Sequence, residues 1–199
     1  MFSEKLLEIT RGIKNNTPRI DMADSAVFHA NLMFVSQVIK ASAGLLMEAT
    51  MYLPQDGGSF ERELRLYYCE HLKEEQGHYE WLMDDLELKS TIGHRDWAAA
   101  QVCGAQYYML KHIHPVCLLG HMVALECDPT SVETIEQLEA LYGRRMLRCA
   151  RFHAVEDLEH QKELLAIVDK VPEHLQPLVT ESAIHTLQTS AMAQQYWGK

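Results

Sequence analysis

The sequence predicts an all-α protein, a bundle of about seven helices, on three observations. Helix formers dominate and alternating β-branched runs are missing. Proline and glycine fall mostly between the apolar-periodic segments. Asp or Thr stands where several of those segments would need a cap.

Taken in order, Pro18 closes a first helix over about 2–15, and Asp21 or Asp24 can cap a second over about 24–53, which ends near Pro54 and the Asp56-Gly57-Gly58 turn. A third helix is expected from Ser59 to about Lys89, with a break at Thr91-Ile92-Gly93. The fourth segment, about 95–126, holds Pro115, which predicts a kink or a pair of helices. Asp128-Pro129 then turns the chain, with Thr130 as a cap and Glu133 completing a capping box for a short helix over about 131–141. Gly143 leads into a long helix over about 144–170 that Pro172 ends, and a last helix covers about 173–196. No repeat, low-complexity tract or linker interrupts this pattern, so a single domain over 1–199 is expected.

Composition narrows the function classes. Of 199 residues, 47% are hydrophobic, enough for a core in a chain this long. The net charge of −10 disfavours phosphate backbones, so no nucleic-acid partner is expected. Apolar runs stop short of the roughly 20 residues that cross a bilayer. The first residues, MFSEKLLEITRGIK, lack the uninterrupted apolar stretch of a secretory signal. Five scattered cysteines without a CxxC pair predict reduced thiols, and with them a cytoplasmic protein that uses no membrane.

Two short patterns repeat one chemistry at one spacing. The first is Glu75-x-x-His78 in HLKEEQGHYEWL, and the second is His153-x-x-x-Asp157-x-x-His160 in RFHAVEDLEHQKEL. Residues three, four and seven apart share a helix face, so each set points one way. Each is preceded by an isolated acid in apolar surroundings, Glu48 in SAGLLMEATMYL and Glu126 in CLLGHMVALECDP. A carboxylate there is costly unless paired or bound to metal. Two acids and two acid-x-x-His units from four helices follow the ligand logic of a carboxylate-bridged dinuclear site. Oxygen and imidazole donors suit Fe or Mn. Four carboxylates would nearly balance two divalent ions.

Each element also has an ordinary explanation. Glu75 and His78 could lie on a solvated face, Glu48 could pair with a basic residue, and Glu126 could simply sit at a helix end. Glu74 is the alternative to Glu75, and His71 falls one to two turns from the site. The remaining histidines, His121 among them, are expected at the surface or satisfied in the core, and Met47, Met51, Met109, Met122 and Met146 as core filler. Arg148 and Arg151 are expected on a solvated face rather than at an acidic substrate.

At Glu48, Glu75-x-x-His78, HPVCLLGHMVALE ending in Glu126, and His153-x-x-x-Asp157-x-x-His160, the sequence resembles the haem-oxygenase-like di-iron oxidases and oxygenases. Their wider superfamily includes TenA thiaminases and the PqqC oxidase. The resemblance runs from about residue 24 to 170, and the extra histidine favours this bundle over the ferritin-like one. It implies two labile Fe ions per chain, O2 as co-substrate, and oxidation of a small amino-acid- or fatty-acid-like molecule. It also implies Glu75 and Glu126 as bridging or mobile ligands, with His78, His153 and His160 as terminal ones. The other readings are a TenA-like C–N hydrolase, which needs an activated thiol such as Cys117 or Cys149, and a ferritin-like iron binder. A homodimer is the default assembly.

Overall fold

A computed structural model describes residues 1–86 and 95–195, with the side chains of 95–96 and 156–159 outside the description. Among the described residues there are nine α-helices and no strand: α1 (Phe2–Asn16), α2 (Ser25–Tyr52), α3 (Ser59–Glu75), α4 (His78–Asp85), α5 (Arg95–His112), α6 (Cys117–Glu126), α7 (Val132–Tyr142), α8 (Arg148–Val168) and α9 (Gln176–Gln194). Short 3₁₀ turns at Arg145–Leu147 and Glu173–Leu175 lead into α8 and α9.

The helix ends follow local chemistry. Asp24 caps α2 by accepting from the amides of Ala26 and Val27. Thr17 turns extended ahead of Pro18 and ends α1. Pro115 divides α5 from α6, as a proline without a donor should. The Tyr68 hydroxyl donates to the Pro115 carbonyl at 3.0 Å and ties α3 to that break. At α7 the cap is Ser131 rather than Thr130: its hydroxyl accepts from the Thr134 amide at 3.2 Å, so Glu133 falls one position too early for the expected capping box.

The expected third helix is two helices. The chain leaves α3 at Glu75 and re-enters a helix at His78, with Gly77 at φ 92 between them. That left-handed conformation is one that glycine adopts without steric cost. The break expected at Thr91-Ile92-Gly93 lies outside the described residues.

Helix α6 is the centre of the packing, with every residue from Cys117 to Ala124 buried. Gly120 is what lets α9 approach, because a Cβ there would stand 2.0 Å from the Val179 carbonyl oxygen. Helix α2 is long and apolar enough to cross a membrane, yet it packs along α5 and α3 and turns one face to an internal cavity. Of the methionines expected as filler, Met122 is buried, while Met47 and Met51 are exposed.

Arg148 and Arg151 do not lie on a free solvated face. Arg148 Nε donates to Asp85 Oδ1 at 2.6 Å and its Nη2 to Asp84 Oδ2 at 2.9 Å, joining α8 to α4. Arg151 grips Glu139 of α7 with two bonds of 2.7 and 2.8 Å. Bidentate pairing of this kind fixes geometry as well as charge. These arginines clamp α8 between α4 and α7, one turn before its histidines begin.

Candidate metal centre

The cavity, about 530 Å³, lies between α2, α6 and α8, with α3, α4 and α7 at its margins. Most of its wall is apolar, supplied by residues such as Leu32, Val35, Leu46, Leu118 and Met122. One end is not. There His71, Glu75, Glu126, His153 and His160 converge from α3, α6 and α8.

His71 is at the middle of this group, only 4% exposed. Its Nε2 lies 3.3 Å from Glu126 Oε1, and its Nδ1 lies 3.3 Å from Glu74 Oε2. The same Glu74 oxygen stands 3.5 Å from His160 Nε2, reaching across to α8. One donor atom from each of His71, Glu74 and His160 therefore falls within 4.8 Å of the others. Beside them, His78 Nδ1 sits 3.4 Å from Glu75 Oε1. The His78 ring meets the His153 ring edge-on, with centroids 4.9 Å apart.

Charge follows from this crowding. Burial alone would lower the His71 pKa, but its hydrogen bond to Glu126 and the charges of Glu126, Glu75 and Glu74 outweigh burial and raise it to about 9. Burial pushes Glu75 upward, and contact with His78 together with the charges of His71, His78 and His153 brings it below its ordinary value. Glu74, Glu75 and Glu126 thus crowd around the His71 imidazolium, and a metal cation bound among them would pair with the same carboxylates.

The donor set fits a hard divalent metal. It offers carboxylate oxygens and imidazoles from four helices. Its N···O separations of 3.3–3.5 Å exceed the roughly 2.8 Å of a strong charged hydrogen bond. They approach the spacing of about 3 Å between ligands that share an ion at about 2.1 Å. His78 Nδ1 is buried, and its 3.4 Å contact with Glu75 Oε1 is long for a hydrogen bond, which leaves both atoms available for coordination.

The sequence-expected residues divide accordingly. Glu75, His78, Glu126, His153 and His160 come together. Glu48 does not join them. The cavity-facing residues of α2 include Ser42, Leu45 and Leu46, which puts Glu48 about 120° round the helix. It sits half-buried toward α5, where its charge reaches Tyr107. Asp157 is on α8, but its side chain lies outside the described residues. His71 and Glu74 also belong to the group. Glu74 is the acid the sequence offers as the alternative to Glu75, and the signal that adds His71 is in HLKEEQGH, where acids stand three and four positions after it. The shared-face argument for Glu75 and His78 also needs correction. They meet across the Gly77 break and not along one continuous helix.

Comparison with known proteins bears on the fold. No family model and no curated protein matches the sequence. The crystal structure of a domain of unknown function with a heme oxygenase-like fold, from Shewanella denitrificans OS217, superposes with a TM-score of 0.69. It covers 96% of this chain and 88% of its own, at 15% identity. The fold is haem-oxygenase-like. In this haem-oxygenase-like bundle His71 and His78 are buried beside the cavity, while Glu74 reaches the site from the exposed side of α3.

Proposed function

We propose that the protein is a non-haem di-iron oxidase or oxygenase that uses O2 to oxidise a small, largely apolar molecule held in the cavity. The observation that carries this reading is the convergence of His71, Glu74, Glu75, His78, Glu126, His153 and His160 at the polar end of an apolar chamber. Two ferrous ions bound there would supply the electrons with which O2 is activated.

The chain's own residues have distinct parts. Glu75 and Glu126, on different helices and both against histidines, are the candidates to bridge. His78, His153 and His160 would hold the metal through their imidazoles, with His71 and Glu74 added to the set. His71 must give up its proton to become a ligand, so loading releases protons. The leucine and valine wall keeps bulk water from the reacting end and holds the substrate against it. Arg148 and Arg151 keep α8 in register, and through it His153 and His160.

The hydrolase alternative loses Cys117 as its nucleophile. Burial lifts the Cys117 thiol to about 11 and the Cys103 and Cys127 thiols to about 12, the opposite of an activated nucleophile.

The test is anaerobic loading with Fe(II), then O2. Near two irons per chain, O2 consumption and a transient visible absorption are expected. If His153→Ala and His160→Ala bind iron as well as the wild type, the reading is wrong. Thiamine cleavage in metal-free buffer would favour the hydrolase instead.

A further inference from the structure

The cavity has a second polar feature, on α6 away from the acid-histidine end. His121 is 3% exposed and belongs to the same cavity-facing stripe as Leu118, Met122 and Leu125. Its Nδ1 lies 2.9 Å from the Thr186 hydroxyl of α9, while its Nε2 is buried without a hydrogen-bond partner. We propose that the cavity binds a mostly apolar small molecule bearing one uncharged hydrogen-bond acceptor, and that His121 Nε2–H donates to that acceptor.

The donor role comes from a relay behind the ring. Ser182 Oγ donates to Gln106 Oε1 at 3.0 Å. Gln106 Nε2 donates to Thr186 Oγ1 at 3.3 Å. The Thr186 hydroxyl, accepting from Gln106, directs its own proton to His121 Nδ1. A neutral imidazole that accepts at Nδ1 carries its proton on Nε2. Every member of the relay is fully or almost fully buried, so it holds one orientation.

The preference for an uncharged ligand has two supports. Burial, with the charge of His185, holds the His121 pKa down to about 4, so the ring is neutral at physiological pH and supplies no charge to an anion. Among the described lining residues there is no lysine or arginine, whereas Glu75, Glu126 and Asp128 are all present. A carboxylate at His121 would find no cation beside it, because His71, the charged imidazole of the cavity, stands at the other end among Glu74, Glu75 and Glu126. His121 is five residues before Glu126, about 7.5 Å along the helix axis, so a ligand anchored there presents a carbon several bonds away to the acid-histidine end. The binding claim stands whether or not that end holds iron.

The test uses the full chain in EDTA with three probes of nearly one shape: 4-phenylbutan-2-one, butylbenzene and 3-phenylpropanoate. The ketone should bind more tightly than the other two. Imidazole ¹⁵N NMR should report His121 protonated at Nε2, with a shift of that signal on adding ketone. His121→Phe keeps the ring volume and should weaken the ketone roughly five- to tenfold while leaving butylbenzene within about twofold. Thr186→Val acts from behind the ring and should weaken the ketone about two- to threefold, again sparing butylbenzene. Equal losses for ketone and hydrocarbon, a carboxylate that binds tightest, a ketone no better than butylbenzene, or an Nδ1-protonated ring would each overturn the proposal.

Discussion

His71 Nε2 stands 3.3 Å from Glu126 Oε1 and so joins α3 to the end of the central helix α6 at the polar end of the cavity. The second nitrogen of the same ring reaches Glu74, which in turn reaches His160, so His71 links ligand candidates on three helices. His71→Ala should therefore lower Fe(II) affinity at least about tenfold, with fewer than two irons retained after desalting. Glu48→Ala, which removes a carboxylate turned toward Tyr107, should leave iron stoichiometry unchanged. Anaerobic Fe(II) titration of the two variants decides between them. Equal retention by both would remove His71 from the ligand set.

The helices were legible because Pro18, Pro115 and Pro172 act through covalent constraint, which needs no tertiary context. The break at Gly77 was not legible. A lone glycine among helix formers costs only about 1 kcal/mol in a helix, so HLKEEQGHYEWL reads as continuous until packing selects otherwise. The site was legible as a set of residue types, since buried acids and histidines at short spacing need partners. Which acid faces inward was harder. Glu48 has apolar neighbours on every side in sequence, and only the rotation of α2 against α5 sends it away from the cavity. His71 reads from the sequence only as a neighbour of the site, because its acids follow it instead of preceding it, although a helix surface does not distinguish the two orders.

Gly77 sets the angle at which His78 meets Glu75. It is in the left-handed region at φ 92, and a Cβ added there meets nothing within 4 Å. The cost of Gly77→Ala is thus conformational strain without a clash, about 1–2 kcal/mol by urea unfolding. The strain also favours rejoining α3 and α4, which would swing His78 along the helix. Weaker iron binding should accompany the lost stability. A variant as stable as the wild type would mean that the turn is indifferent to its residue.

His121 makes stability depend on pH with a defined sign. Its folded pKa of about 4 lies below its ordinary value of 6.5. Above pH 6.5 the ring is neutral in both states and contributes no slope. Between 6.5 and 4 the unfolded chain takes up the proton and the folded chain does not, so stability falls as pH falls, and the loss levels off below 4. The full effect is up to about 3 kcal/mol. Urea midpoints from pH 7 to 4 should drop more steeply for the wild type than for His121→Gln, which cannot titrate. Parallel curves would show that the ring is protonated in the folded state.

Gly120 and Gly12 give opposite expectations for the same substitution. At Gly120 a new Cβ would meet the Val179 carbonyl oxygen at 2.0 Å, the Ala183 amide nitrogen at 2.8 Å and the Ser182 Cβ at 3.0 Å. Two of these are backbone atoms, which have no rotamer to yield, so α9 must move as a body. Gly120→Ala should cost more than about 3 kcal/mol. Because α9 carries Thr186 and Ser182, the shift should also loosen His121. Gly12, exposed on α1, has nothing within 4 Å of its added Cβ. There alanine replaces the most flexible residue in a helix interior and should stabilise by about 0.5–1 kcal/mol. Thermal and urea unfolding of both variants checks the pair together: a small cost at Gly120 would mean that α6 and α9 are not in contact at that point.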